Sequence, residues 1–137
     1  MKKIFTFILF ALLFFSNSKI SLSIEPDVFI QSTVNRAADT LSGNFTKNER
    51  IEQLKLIAKE TVDITGIGYY SLGSHRKSLS KEQLSTYKKA FEEYFLKSFS
   101  SRLAEYSNPE IEVISKNKLN KNYTIVLSKL IATDSRP

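Results

Sequence analysis

No cysteine occurs anywhere in this chain of 137 residues. That absence excludes a disulfide, a thiolate metal ligand and the lipid-carrying cysteine of a lipoprotein anchor. Histidine is nearly missing too. His75 stands alone, so no histidine cluster can hold a metal, and no cysteine can replace it. A Ser-His-Asp set would have to use His75, whose neighbours Arg76 and Lys77 oppose its protonation. No Gly-x-Ser-x-Gly elbow presents a nucleophile. His75 reads as an exposed connector residue. Tryptophan is absent and glycine numbers only four. Gly66-Ile67-Gly68 lacks the third glycine and the preceding strand that a phosphate loop needs. Internal repeats and low-complexity tracts are missing as well.

What is present begins with a leader-like terminus. Lys2 and Lys3 precede Ile4 to Phe15, an uncharged apolar run too short for a membrane span of about 20 residues. Ser21-Leu22-Ser23 offers small residues for cleavage after Ser23, and Ser16-Asn17-Ser18 offers a second site. Residues 1–23 are therefore expected to be a signal peptide, with export to the periplasm. An uncleaved N-terminal anchor is the alternative. Cleavage after Ser23 would leave 114 residues, enough for one domain and one core. Losing Lys2, Lys3 and Lys19 lowers the net charge from +6 to +3. A mild positive balance suits an anionic membrane surface better than a nucleic acid.

The rest of the chain changes period once. Pro26 suits a first helical turn, and Phe29, Ile30, Thr33, Val34, Ala37, Ala38 and Leu41 follow at helical spacing up to Gly43-Asn44. Thr46 to Glu49 matches a capping box, with Asn48 as a rival cap. Ile51, Leu54, Ile57, Ala58 and Val62 predict a second helix, and Ile64 to Tyr70 a third, short one weakened by its glycines. Leu72-Gly73 ends it, and Ser74 to Lys77 makes a basic connector. Ser80 and Gln83 then open a long helix, of roughly 40 Å. Its apolar face carries Leu84, Tyr87, Phe91, Tyr94, Phe95, Phe99, Leu103 and Tyr106, and Asn108-Pro109 stops it. Beyond Pro109 the pattern alternates. Ile111 to Ile114 and Tyr123 to Ile131 predict two strands around a polar turn at Lys116 to Asn122. The face bearing Tyr123, Ile125 and Leu127 is expected to pack on the helices.

Val62-Asp63, Leu72-Gly73, Ser80-Lys81-Glu82-Gln83, Tyr87, Phe91, Phe99, Leu103 and Tyr106 fall in one ungapped register. That register resembles the MlaC-type periplasmic phospholipid-binding proteins, the toluene-tolerance family, over roughly residues 26–131. Their pattern runs Phe-Asp, Leu-Gly, Trp-Arg/Lys, Ser-x-x-Gln and an apolar helix ending in Leu-x-x-Tyr. Here Val62 replaces Phe, Arg76 replaces Trp and Phe99 replaces Tyr. The resemblance implies an α+β fold, with N-terminal helices packed on an antiparallel sheet in a cystatin-like cone. It also implies further strands and a segment bearing Trp and Asp followed by Gly-x-Ser, so the chain is expected to be a C-terminally truncated member with an incomplete sheet.

By the same resemblance the protein would carry phospholipid between an outer-membrane lipoprotein complex and an inner-membrane ABC transporter with an MCE subunit. It would be a monomer with no catalytic activity, metal or cofactor beyond bound phospholipid. Tyr70, Leu72, Tyr87, Phe91, Phe95, Phe99, Leu103 and Tyr106 are the candidate lipid-binding residues, although for any one of them plain core packing is the favoured alternative. At about 0.8 kcal/mol per buried methylene, affinity would come from the tails. Two other classes stay open. One is a small secreted hydrolase or isomerase on a similar cone, with Asp63 as base, against which Asp63 could simply end a helix or meet an amide. The other is a lipid-free adaptor whose aromatic stripe meets a partner helix.

Overall fold

The computed structural model describes residues 24–134. The expected signal peptide, residues 1–23, and residues 135–137 lie outside the described residues. Four helices come first: α1 (Pro26–Ser42), α2 (Lys47–Thr61), α3 (Ile64–Ser71) and α4 (Lys81–Leu103). A 3-10 turn, Gly73–Lys77, joins α3 to α4. Strands β1 (Glu110–Lys118) and β2 (Thr124–Ala132) then pair antiparallel, completing an α+β arrangement with the helices N-terminal to the sheet. No helix among the described residues is long and apolar enough to cross a membrane.

The helix starts follow the local chemistry of the sequence. Thr46, not Asn48, caps α2: its hydroxyl accepts from the Glu49 amide at 3.3 Å, and the Glu49 carboxylate accepts from the Thr46 amide at 2.8 Å. Those bonds hold the Glu49 carboxyl below its ordinary value, the Thr46 amide contributing most. Ser80 and Gln83 form the same box at α4, with bonds of 3.1 and 2.8 Å. Asp63 caps α3 by accepting from the Gly66 amide at 2.9 Å. The turn into the connector places Gly73 at φ +54°, a left-handed conformation that glycine adopts without a steric penalty.

Helix α4 ends three residues earlier than its apolar pattern extends. Ala104 closes it, bonding back to the Ser100 carbonyl, and Asn108 turns at φ 46° ahead of Pro109. Tyr106 is thereby released from the helix and packs beside Leu41, Leu54 and Ala104. A second cluster joins Ala58, Ile64 and Leu96, with Val62, Phe91 and Phe95 against it. The buried row of α4 and its C-cap is therefore Leu96, Ser100 and Ala104, one position round from the aromatic stripe. Ala104 packs with Leu54 and Leu96 with Ala58, so α4 meets α2 along an i, i+4 row.

The sheet corrects one expectation. Pairing of Ile111 with Leu130 and of Val113 with Ser128 turns Val126 and Leu130 toward the helices. Ile125 and Leu127 face outward and remain about half exposed, and Tyr123 beside them is exposed too. Strand period leaves no compromise: once Ile111, Val113 and Leu130 face α1, the odd-numbered side chains of β2 must face away. β1 also runs further than its apolar residues suggest, because β2 pairs with it as far as Lys118, with a bulge at Val113–Ser115. Asn120 shortens the turn by accepting the amides of Asn122 and Tyr123.

Helix α1 is fastened to β1 at two points. The Gln31 side chain accepts from the Val113 amide at 3.0 Å and donates to the Ile111 carbonyl at 3.4 Å. Lys116 reaches Glu25 at 2.9 Å and Asp27 at 2.8 Å. The Lys116 hydrogen bond lowers the Asp27 carboxyl from its ordinary value, and Asp27 first, then Glu25, raises the Lys116 ammonium.

A candidate apolar binding site

Where α1, α2, α4 and the sheet fail to close completely, a cavity of about 340 Å³ remains. Helix α1 lines it with Thr33, Val34, Ala37 and Leu41, and α2 with Leu54, Ile57, Ala58, Thr61 and Val62. Phe99 and Leu103 of α4 form the third side, and Tyr106, Pro109, Ile111 and Leu130 close it toward the sheet. Leu41, Leu54, Ile57, Ala58 and Pro109 are buried, and Phe99 is the most exposed of the lining residues.

The chemistry of the lining is uniform. No charged side chain takes part. The two threonine hydroxyls are turned back on their own helices: Thr33 donates to the Phe29 carbonyl at 2.9 Å and Thr61 to the Ile57 carbonyl at 2.7 Å. Each hydroxyl is thus satisfied, and the space beside it is left to methyl groups. Such a cavity favours hydrocarbon over water, because a buried water needs two to four polar partners. Charges stay outside, as with the Arg36–Glu60 pair that links α1 to α2 at 2.6 Å on the exposed side.

The candidate residues drawn from the sequence divide into two groups. Phe99, Leu103 and Tyr106 line the cavity. Tyr87, Phe91 and Phe95 do not. They continue from Phe99 up α4 as a stacked ladder, with ring centroids 5.7, 6.2 and 5.4 Å apart. The top of the ladder holds α3. Tyr87 donates to the Gly68 carbonyl at 3.2 Å, and a Cβ on Gly68 would meet the Phe91 ring at 2.8 Å. Glycine at 68 is what permits that ring to approach. Leu72 is the C-cap of α3 and half-buried, whereas Tyr70 is 88 % exposed. Neighbouring Tyr69 takes the Arg76 guanidinium over its ring at 4.8 Å.

The α1 and α2 walls were missing from the candidates, as were Pro109, Ile111 and Leu130. Their stripes are legible in the sequence as apolar, but a stripe that lines a hollow has the same period as one that fills a core. The available signal was size: Ala37 and Ala58 place methyl groups where facing stripes elsewhere carry leucine or isoleucine. Asp63 lies on the exposed surface outside the cavity, its carboxylate accepting the Gly66 amide. No group of three or more potential metal ligands occurs among the described residues. On another face of α2 and α4 lies an open groove lined by Glu52, Lys55, Lys59, Glu93 and Lys97, together with Ile51, Leu96 and Ser101.

Comparison with known proteins gives one match. The family model described as MlaC protein covers residues 31–137. No curated protein and no solved structure matches the chain.

Proposed function

The chain belongs to the MlaC family, and from that premise we propose that it is a periplasmic carrier which holds phospholipid by its tails in the cavity between α1, α2, α4 and the sheet. Membership in itself indicates a phospholipid-binding transport protein of the periplasm. The observation that supports the finer reading is the lining: about 340 Å³ lined by carbon, with both threonine hydroxyls bonded to their own helices. A hydrocarbon tail gains about 0.8 kcal/mol per methylene there, while a headgroup finds no charged partner inside and stays at the surface. Binding by tails alone suits a carrier, which must accept and release lipids without strong selection among headgroups.

In this reading the protein receives lipid at one membrane and delivers it at the other. The proposed partners are an outer-membrane lipoprotein complex and an inner-membrane ABC transporter with an MCE subunit. The work of extraction is done by the transporter. No cofactor is needed beyond the cargo. Native mass spectrometry with lipid extraction, on protein exported through its own leader in a Gram-negative host, tests the proposal. Phospholipid should be recovered from the periplasm bound to folded protein that begins near Ile24. Folded, processed protein free of lipid would overturn the carrier reading.

A further inference from the structure

We propose that the tip formed by α3 and the 3-10 turn after it is a docking surface for an anionic membrane. This surface lies outside the cavity, and its role does not depend on the carrier reading. Charge is the first reason. Residues 64–81 carry Arg76, Lys77 and Lys81 and no acidic residue, the flanking acids being Asp63 and Glu82. Arg36, Lys47, Lys55 and Lys116 are all paired with carboxylates, but no ion pair among the described residues includes Arg76, Lys77 or Lys81. Their charge is therefore free to meet an anionic surface.

The second reason is what stands exposed beside those charges. Gly68, buried against the Phe91 ring, fixes the inner side of α3. Tyr70 comes two residues later, about 200° round the helix, so it is turned away from α4 and is almost fully exposed. Ile67, three residues before Tyr70, shares that outer side and is exposed as well. Arg76 lies over the Tyr69 ring, which holds its cation against α3. Every residue from Gly73 to Ser78 is exposed, while half-buried Leu72 and Leu79 anchor the two ends. Bonds from the His75 amide to the Leu72 carbonyl, 3.2 Å, and from the Ser78 amide to the His75 carbonyl, 3.0 Å, close the turn. The tip is thus an ordered projection. No residue between Ile64 and Lys81 lines the cavity or the groove described above, so a protein partner would find no pocket for its anchors. A bilayer surface needs none. An amphipathic tyrosine suits the headgroup layer, and each basic residue near an anionic surface strengthens binding about fivefold.

The test is sedimentation of the exported, processed protein with vesicles of phosphatidylcholine alone or of an equal mixture with phosphatidylglycerol. Protein should pellet with the mixture, hardly at all with phosphatidylcholine, and less as salt rises. Lys77→Gln and Lys81→Gln should each weaken binding about fivefold, and together about 25-fold. Neither lysine holds another side chain, so an unchanged Tm should accompany the loss. Lys97→Gln removes the same charge about 24 Å further along α4, beyond a Debye length of about 10 Å, and should have little effect. The chain has no tryptophan, so Tyr70→Trp supplies a single indole whose emission should move to shorter wavelength on the mixed vesicles. Failure to pellet with either vesicle would overturn membrane docking and leave an acidic protein as the partner for this surface. Binding that survives the double lysine change, or an indole emission that does not move, would overturn it too, because another face would then be touching the bilayer. None of these failures alters what the cavity holds. A protein that docks yet carries no lipid would instead overturn the carrier reading and leave the docking surface standing.

Discussion

Replacing Ser100 by alanine should make the protein more stable. Ser100 is fully buried on the ridge where α4 meets α2, and its hydroxyl has no hydrogen-bond partner. An unpaired buried hydroxyl costs about 1–3 kcal/mol, because it gives up water and gains nothing in return. Alanine is also the better helix former, by about 0.5 kcal/mol in a helix interior. Against these stands the packing that a single oxygen atom provides, worth less than a methylene, about 0.8 kcal/mol. The balance is a gain of about 1 kcal/mol or more. For a domain of this size that corresponds to a rise in Tm of about 4 °C. Urea unfolding should show a higher midpoint with an unchanged slope, since the surface exposed on unfolding hardly differs. Ser100 does not line the cavity, so chain binding should stay as it was. A lower midpoint would refute the reasoning, and would mean that the hydroxyl is paired in solution. Thr61→Val is the control: its hydroxyl is bonded to the Ile57 carbonyl, so the same deletion should bring no such gain.

Gln31→Ala should cost about 1 kcal/mol or more in urea unfolding, because it leaves the Val113 amide and the Ile111 carbonyl without the side chain that pairs them. Acid should weaken the anchor of α1 on β1: a lowered Asp27 carboxyl stabilises the fold above its ordinary value of 3.8, and that contribution is lost as pH falls through the lowered value. The raised Lys116 ammonium acts at the other end, contributing below its ordinary 10.5 and losing its effect as pH rises past the raised value. Lys116→Gln should therefore flatten both limbs of a plot of Tm against pH, and more so in low salt. Tyr70→Ser should change neither Tm nor the binding of phospholipid in the cavity, since that side chain is 88 % exposed and lies outside it.

The helices were legible because their ends carry specific chemistry. Thr46 with Glu49 and Ser80 with Gln83 each mark a start that follows from side-chain reach alone, whereas Asp63, read only as ending a helix or meeting an amide, turns out to start α3 by accepting the Gly66 amide. The wall of the cavity was legible only in part. Aromatic bulk drew attention to α4, and three of the residues chosen on it or just past its end do line the hollow. The others hold α3, a role that depends on where Gly68 comes to lie. Ser100 and Ala104 could not be recognised as the buried ridge, because small residues carry little hydrophobic signal. The inward face of β2 was misjudged for a related reason. Tyr123, Ile125 and Leu127 are the more apolar set, but Ile111 and Val113, with Leu130 opposite, decide which set turns inward. A strand's own alternation says that there are two faces. Its partner says which is which.

The amide of Gln31 gives the sheet a direction. By taking up the Val113 amide and the Ile111 carbonyl, it occupies backbone that would otherwise be free to pair, and α1 covers that side of β1. A strand that joins the sheet, whether from this polypeptide or another, finds Thr124–Ala132 as the edge that Gln31 does not occupy. Growth of the sheet is thus vectorial. The wall of the cavity next to α1 keeps a constant shape, and each addition would widen only the side that begins at Leu130. The volume open to a tail would then be set by how many strands follow β2, with the helices acting as the fixed jaw.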